Sequence, residues 1–362
     1  MPGGQGPLQG CRLLMLPRYP WGGPSSRLRM GQFIPRLEAA GAAVSISPFF
    51  DDAYLAGYFG SGRKSKASAA LAYWRRARAI ATANADLVWI EKELYPFLPG
   101  WFEGALARRG TRYVVDYDDA IFHSYDRNRR GAVRRLLANK LDPLLTGAGA
   151  VTAGNGYLAD YAGDHGARRI VRVPTVVDPS RYPVLPPPAG ERLRIGWIGT
   201  PSNARYLTPL IDAMRELTDR VPMTLVTIGA PELAELPIPQ EVHAWSEDSE
   251  ASLLATTDIG VMPLPDDPFE RGKCGYKLIQ YMAAARPVIA SPVGVNAEIV
   301  TGDVGLTATT VAEWVRAISA LAADPVRRQA MGAAGRQRVE AQYSVEAVAP
   351  VLIDLFADVA GR

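Results

Sequence analysis

The 362-residue chain has only two cysteines and three histidines. Cys11 and Cys274 stand far apart, which excludes a disulfide framework and a cysteine metal site. His123, His165 and His243 are equally scattered, so no metal is expected. No apolar run reaches the roughly 18–20 residues that a membrane span needs. The start, MPGGQGPLQGCRLLMLP, has too short an apolar core for a signal peptide, and residues 1–10 read as a disordered leader. A Ser/His/Asp-type constellation is also missing. So is a large net charge, because 40 basic and 37 acidic residues leave +3. The expected compartment is the cytoplasm.

What the chain does have is a hydrophobic content of 48% with 21% charged residues, as in globular proteins. Its length suits two domains of about 150–190 residues each. The charges are unevenly spread: Arg63–Arg78 and Arg127–Lys140 each carry basic residues and no acid. In the second stretch Val133, Leu136, Leu137 and Leu141 fall at helical spacing opposite the arginines. That pattern suits an anionic membrane surface or a core-packed helix with a solvated face. No nucleic-acid module accompanies it.

The stretch Asp258–Glu298 reads as strand, loop, helix, strand and turn. Its loop collects Pro, Asp, Gly and Lys, where open α/β sheets bind ligands. The helix beginning at Tyr276 buries Leu278, Ile279, Met282 and Ala283 and carries Lys277 in its first turn. A cation there opposes the helix dipole unless an anion lies between them, and glycines 272 and 275 would let backbone N–H groups approach one. Taken alone, Lys277 reads as a solvated loop lysine. A second case stands at 194–217: a strand, then Gly199-Thr200-Pro201, an N-cap at Ser202 or Asn203, and Arg205 in the first turn of a helix. Two cations so placed point to one shared anion, and a diphosphate fits. Strands alternate with helices along the whole chain, which implies parallel doubly wound sheets.

These residues resemble the family-4 glycosyltransferases. IGWIGTPSNARYL at 195–207 is similar to the family's donor-domain phosphate loop, with Arg205 at its basic position and Thr200 where many members carry a second cation. WGGPSSR at 21–27 resembles the glycine loop of the N-terminal domain, and VPTVVDPSRY at 173–182 the entry to the interdomain linker. GKCGYKLIQYMAAARPVIASPVG at 272–294 resembles the signature helix. That signature usually holds two glutamates eight residues apart, and here Gly272 and Gln280 stand in their places. Gln280 can hydrogen-bond a ribose, while Glu270, Asp267 or the backbone must replace the first glutamate. DYDDAIFHSYD at 116–126 matches a subset of the family, with His123 near a histidine beside the donor sugar; it is otherwise a structural loop histidine.

The resemblance implies an α/β protein of GT-B architecture, two Rossmann-like domains with doubly wound parallel sheets facing a cleft. After the leader come an acceptor domain (11–180), a linker (181–192), a nucleotide-sugar domain (193–343) and a C-terminal helix (344–362) packing back on the first domain. Arg205, Lys277, His123 and Asp119 are the implied catalytic residues. Donor binding falls to Gly22, Gly23, Gly199, Thr200, Ser202, Asn203, Lys273, Cys274, Gly275, Tyr276, Gln280 and Glu270. Acceptor binding falls to Ser26, Arg27, Asp118 and Glu91. The implied activity is retaining, metal-independent and cofactor-free transfer of a hexose from a UDP- or GDP-linked donor to an acceptor hydroxyl. A saccharide or lipid-linked saccharide acceptor of cell-surface polysaccharide or glycoconjugate synthesis is expected, with the enzyme peripheral on the inner face of the membrane. A nucleotide-sugar epimerase using Glu91, Glu93 and Asp118, or a non-catalytic sugar-nucleotide sensor, are the alternatives.

Overall fold

The computed structural model describes residues 6–55, 66–186, 190–234 and 236–362. The chain forms two compact units, Met1–Thr175 with Val348–Arg362, and Val176–Ala347. The boundary after Thr175 lies ahead of the proline-rich stretch 181–192, of which 187–189 fall outside the described residues.

Unit 1 is a six-stranded parallel sheet: β1 (Arg12–Leu16), β2 (Ala43–Ile46), β3 (Leu87–Glu91), β4 (Tyr113–Tyr117), β5 (Ala150–Ala153) and β6 (Ile170–Arg172). The spatial order is β2-β1-β3-β4-β5-β6. Every residue of β3 and β4 is buried, as a sheet covered on both faces requires. The last helix, Val345–Ala360, contributes Phe356, whose ring lies 4.9 Å from that of Trp89. Near its end Asp358 pairs with Arg169, and Arg112 donates to the Ala360 carbonyl.

Three sequence expectations need correcting in this unit. Residues 1–5 lie outside the described residues, but the rest of the expected leader is ordered: Leu8 is 1% exposed and its N–H donates to the Ala40 carbonyl at 3.0 Å. The basic stretches are less superficial than their charge suggested. Arg76 is buried and donates to the Pro17 carbonyl at 2.9 Å, while Lys140 lies buried between Glu93 (2.6 Å) and Glu103 (2.8 Å). The basic helix runs only from Gly131 to Leu137. Because it stops there, Leu141 is not on its face, and Leu136 stands 72% exposed beside the exposed Arg134 and Arg135.

Unit 2 repeats the plan with β7 (Leu193–Ile198), β8 (Met223–Ile228), β9 (Gln240–His243), β10 (Ile259–Met262), β11 (Val288–Ala290) and β12 (Gly305–Thr307), ordered β12-β11-β10-β7-β8-β9. The helix expected from Ser202 or Asn203 is instead a 3-10 stretch, Pro201–Leu207, followed by an α-helix, Thr208–Leu217. Pro209 explains the break, since it has no N–H to bond the Arg205 carbonyl and its ring crowds that group. Arg205 therefore does not oppose an α-helix dipole. Lys277 does, in the Tyr276–Ala283 helix.

Each sheet reverses its winding once, between β1 and β3 in unit 1 and between β7 and β10 in unit 2. Crevices beyond the carboxyl ends of strands at such switch points are where α/β sheets bind ligands.

Candidate active site

In unit 2, β7 leads into Gly199 and the Pro201–Leu207 stretch. Arg205 is exposed; its Nη2 donates to the Tyr206 hydroxyl at 3.1 Å and its guanidinium lies 5.0 Å from the Tyr206 ring centre. Tyr206 in turn donates to Glu270, which is 6% exposed. Burial, followed by that bond to Glu270, raises the Tyr206 phenol above its ordinary range. A cavity of about 830 Å³ opens beside this chain, lined by Arg205, Tyr206, Asp267, Glu270, Ser291 and Thr309 among others.

Lys277 comes from the Tyr276–Ala283 helix between β10 and β11. Its helix starts from Gly275, held in the left-handed conformation (φ 66°) that glycine tolerates. The Lys277 ammonium lies 5.0 Å from the Trp197 ring centre, and a Cβ on Gly199 would come within 2.9 Å of its Nζ. Glycine at 199 is thus what lets the amine reach the strand end. Burial first, and then the charge of Lys273, push the Lys277 amine down to about 7. Lys273 holds its own ammonium 5.0 Å from the Phe269 ring centre.

The remaining expected donor residues divide. Thr200 and Ser202 join hydroxyls at 3.0 Å, and the Asn203 N–H donates to the Thr200 carbonyl at 2.9 Å, all in the turn before Arg205. Gly275 and Tyr276 begin the Lys277 helix. Cys274 is buried, its thiol directed at the Gly272 carbonyl (3.8 Å). Gln280 is 1% exposed and gives its amide N–H to the Tyr182 hydroxyl at 3.1 Å. Its expected ribose contact is therefore not presented at the surface in this conformation.

In unit 1 the loop after β1 and the end of β3 meet. Glu91 is buried and accepts hydrogen bonds from the Arg18 N–H (2.7 Å) and the Ser26 hydroxyl (2.5 Å). Both Glu91 and Ser26, expected at the acceptor, are thus turned inward to hold the loop. Gly22 is exposed, whereas Gly23 packs where a Cβ would lie 2.5 Å from that of Tyr19. Arg27 is half-buried and donates to the Trp21 carbonyl at 3.3 Å. Asp118 and Asp119 follow β4, both half-buried, and Asp118 accepts a short hydrogen bond from Ser25. Burial opposes the Asp118 charge, but Lys92 and Arg29 outweigh it and hold the carboxyl below its usual range. His123 lies in the next turn with Nδ1 2.9 Å from Asp126 and Nε2 2.7 Å from the Tyr157 hydroxyl.

Four participants escaped the sequence reading: Tyr206, Trp197, Lys92 and Ser25. Tyr206 and Trp197 stand inside the motif that carries Arg205, and Lys92 directly follows Glu91. Only the fold, however, brings Trp197 to Lys277 or Ser25 to Lys92.

Residues 192–324, all within unit 2, match the family model described as Glycosyl transferases group 1. No curated protein matches the chain. Similar solved structures include the sucrose-phosphate synthase of Thermosynechococcus elongatus, at 17% identity and a TM-score of 0.71, covering 97% of this chain and 99% of that one. The Anabaena protein HepE in complex with UDP follows at 15% identity and 0.68, covering 96% and 100%. A glycosyltransferase from Rickettsia africae ESF-5 gives 11% and 0.72, covering 96% and 98%. At these identities the neighbours establish the fold, two Rossmann-like domains of GT-B type. With the domain match in unit 2, they support a glycosyltransferase.

Proposed function

We propose that the protein is a retaining, metal-independent glycosyltransferase that moves a hexose from a nucleoside-diphosphate donor to an acceptor hydroxyl. The observation that carries this reading is the placement of two cations at the switch point of unit 2, inside the stretch that matches the glycosyl transferase model: Arg205 lines the cavity that follows β7, and Lys277 stacks on Trp197 of β7. HepE was solved with UDP and with UDP-glucose, which makes a UDP-sugar the first donor to test, with GDP-sugars next.

The costly step is breaking the anomeric C–O bond, which puts negative charge on the departing diphosphate. Arg205, Lys277, Lys273 and the N–H groups around Gly199 and Gly275 would stabilise that charge as it develops. The acceptor oxygen forms the new bond on the face the diphosphate leaves, and its proton passes to the β-phosphate, so no enzymic nucleophile is required. Asp118, Asp119 and His123 are the acceptor-side and sugar-side groups of unit 1, and Glu270 with Tyr206 takes the place of the signature glutamate absent at Gly272.

Burial of Glu91 and Glu93, each 1–4% exposed and already hydrogen-bonded, counts against the epimerase reading that would use them as acid and base. The acceptor would be a saccharide or lipid-linked saccharide of cell-surface synthesis, met from the cytoplasmic side by a peripheral enzyme. Among the described residues, no helix is long and apolar enough to cross a membrane. The test is a panel of UDP-, GDP- and ADP-sugars assayed for nucleoside diphosphate release, with and without EDTA, and NMR of the product anomer. Release unaffected by EDTA, with the donor's anomeric configuration retained, is expected. An inverted product or EDTA-abolished release would contradict the finer reading.

A further inference from the structure

Lys92 is the first residue after β3, at the switch point of unit 1, and its backbone is left-handed (φ 66°). Lysine disfavours that region, and such conformations persist where the surroundings over-determine them, often at functional sites. The Lys92 Nζ donates to the Ser25 hydroxyl at 2.9 Å and lies 2.9 Å from Asp118 Oδ1, while Ser25 donates to Asp118 Oδ2. The triangle joins three segments, the loop after β1, the β3 end and the β4 end. It sits at the rim of the unit, with 9% of the Lys92 side chain and 14% of the Asp118 side chain exposed.

The neighbouring charges point to what the crevice accepts. Lys92 is faced by Asp118, Asp119 and Glu91. The next cation, Arg29, is taken up by a buried two-point pair with Asp116 at 2.7 and 2.9 Å. Three carboxylates thus act on the one lysine of the triangle, a balance that disfavours a further anion beside them.

We propose that Lys92 is a positioning residue that ties the Gly22–Arg27 loop to the Asp118 carboxylate, and that the acceptor portion bound there is a neutral hydroxyl compound. The acceptor clause rests on the glycosyltransferase reading above; the loop clause does not. With Lys92 in place, Asp118 presents a fixed carboxylate to an acceptor hydroxyl, and the loop cannot drift from it.

The experiment compares wild type with Lys92→Met, Lys92→Arg and Ser25→Ala. It reads hydrogen exchange over residues 18–29, UDP affinity, and donor turnover against pH with glycerol or glycerol 3-phosphate as acceptor probes. Lys92→Met should speed exchange in 18–29 about tenfold, lower kcat for glycerol and leave UDP affinity unchanged within about twofold. Its acid limb of turnover should move to higher pH, because half-buried Asp118 loses its nearest cation. Lys92→Arg should recover most of the protection, and Ser25→Ala should loosen the loop with a smaller shift of the acid limb. Glycerol should be preferred over glycerol 3-phosphate.

Unchanged exchange in Lys92→Met would overturn the positioning role, as would an unmoved acid limb with UDP binding intact. A preference for glycerol 3-phosphate would overturn the acceptor class. If wild type binds UDP but turns over no donor, the glycosyltransferase reading and the acceptor clause fall together. The exchange data alone then decide whether Lys92 holds the loop.

Discussion

Lys277 and Arg205 differ in what surrounds them, and that difference is measurable. Lys277 has its amine pushed down to about 7 from an ordinary value of 10.5 by burial and by Lys273. The unfolded chain then binds more protons than the folded one between these values, so stability of the free protein should rise with pH across that window. Diphosphate binding runs the other way, since it favours the ammonium. Below about pH 7 the cation is already present; above it, binding must take up a proton. UDP affinity should fall by up to about tenfold per pH unit between pH 7 and 9. Calorimetry in buffers of different ionisation enthalpy should show uptake of about one proton near pH 8.5, vanishing in Lys277→Met. A flat profile in wild type would remove Lys277 from the diphosphate. At this scale the sequence marked Lys277 as a cation in the first turn of a helix beside flexible glycines, whereas the same reading failed for Arg205, which precedes its α-helix. Nor did the sequence carry the inward turn of Ser26, Glu91 and Gln280, since burial of a polar side chain depends on partners distant in the chain, such as Tyr182 for Gln280.

The Tyr276–Ala283 helix is the element that aims Lys277, and β10 sets where it lies. Tyr281 projects from that helix over Gly260 of β10, where an added Cβ would come within 2.0 Å of the ring. The Tyr281 hydroxyl donates to the Gly196 carbonyl at 2.9 Å and accepts from the Ile198 N–H at 3.0 Å, so the helix is tied to β7 as well. Gly260→Ala must push the ring away from both. It should cost about 1–3 kcal/mol, as overpacking of a core does, seen as a lower urea midpoint with an unchanged m-value, and weaker UDP binding should accompany it. A variant with wild-type midpoint and affinity would show that the helix is held by other contacts. Elements of this kind were largely legible. The apolar spacing of Leu278, Ile279 and Met282 marked the helix, and the strand–loop–helix–strand reading of Asp258–Glu298 marked β10 and β11 around it. The error at Pro201–Leu207 came from reading an N-cap without weighing Pro209 seven residues on.

For the whole molecule, two six-stranded parallel sheets of similar winding followed from alternating strands and helices, a pattern that survives imprecise boundaries. Membrane attachment is a property of the surface, where sequence reading was weakest. Arg76 and Lys140 are buried, so the basic surface is smaller than the charge runs implied. Leu136 nevertheless stands exposed beside the exposed Arg134 and Arg135 on the Gly131–Leu137 helix. Liposome pelleting should require acidic lipid and fade as salt shortens the Debye length from about 10 Å at 0.1 M. Leu136→Asp should reduce it. Equal pelleting on neutral vesicles would rule out the electrostatic part of that attachment.

The central claim is that unit 2 holds a sugar-nucleotide diphosphate at Arg205 and Lys277 and that its sugar is transferred. The direct measurement is nucleoside diphosphate release from UDP-, GDP- and ADP-sugars by wild type and by Arg205→Ala, alongside donor binding. Wild type should release nucleoside diphosphate from at least one donor, and Arg205→Ala should bind that donor about tenfold or more weakly and turn it over more slowly. Binding of a donor by wild type with no release from any of them would contradict the account.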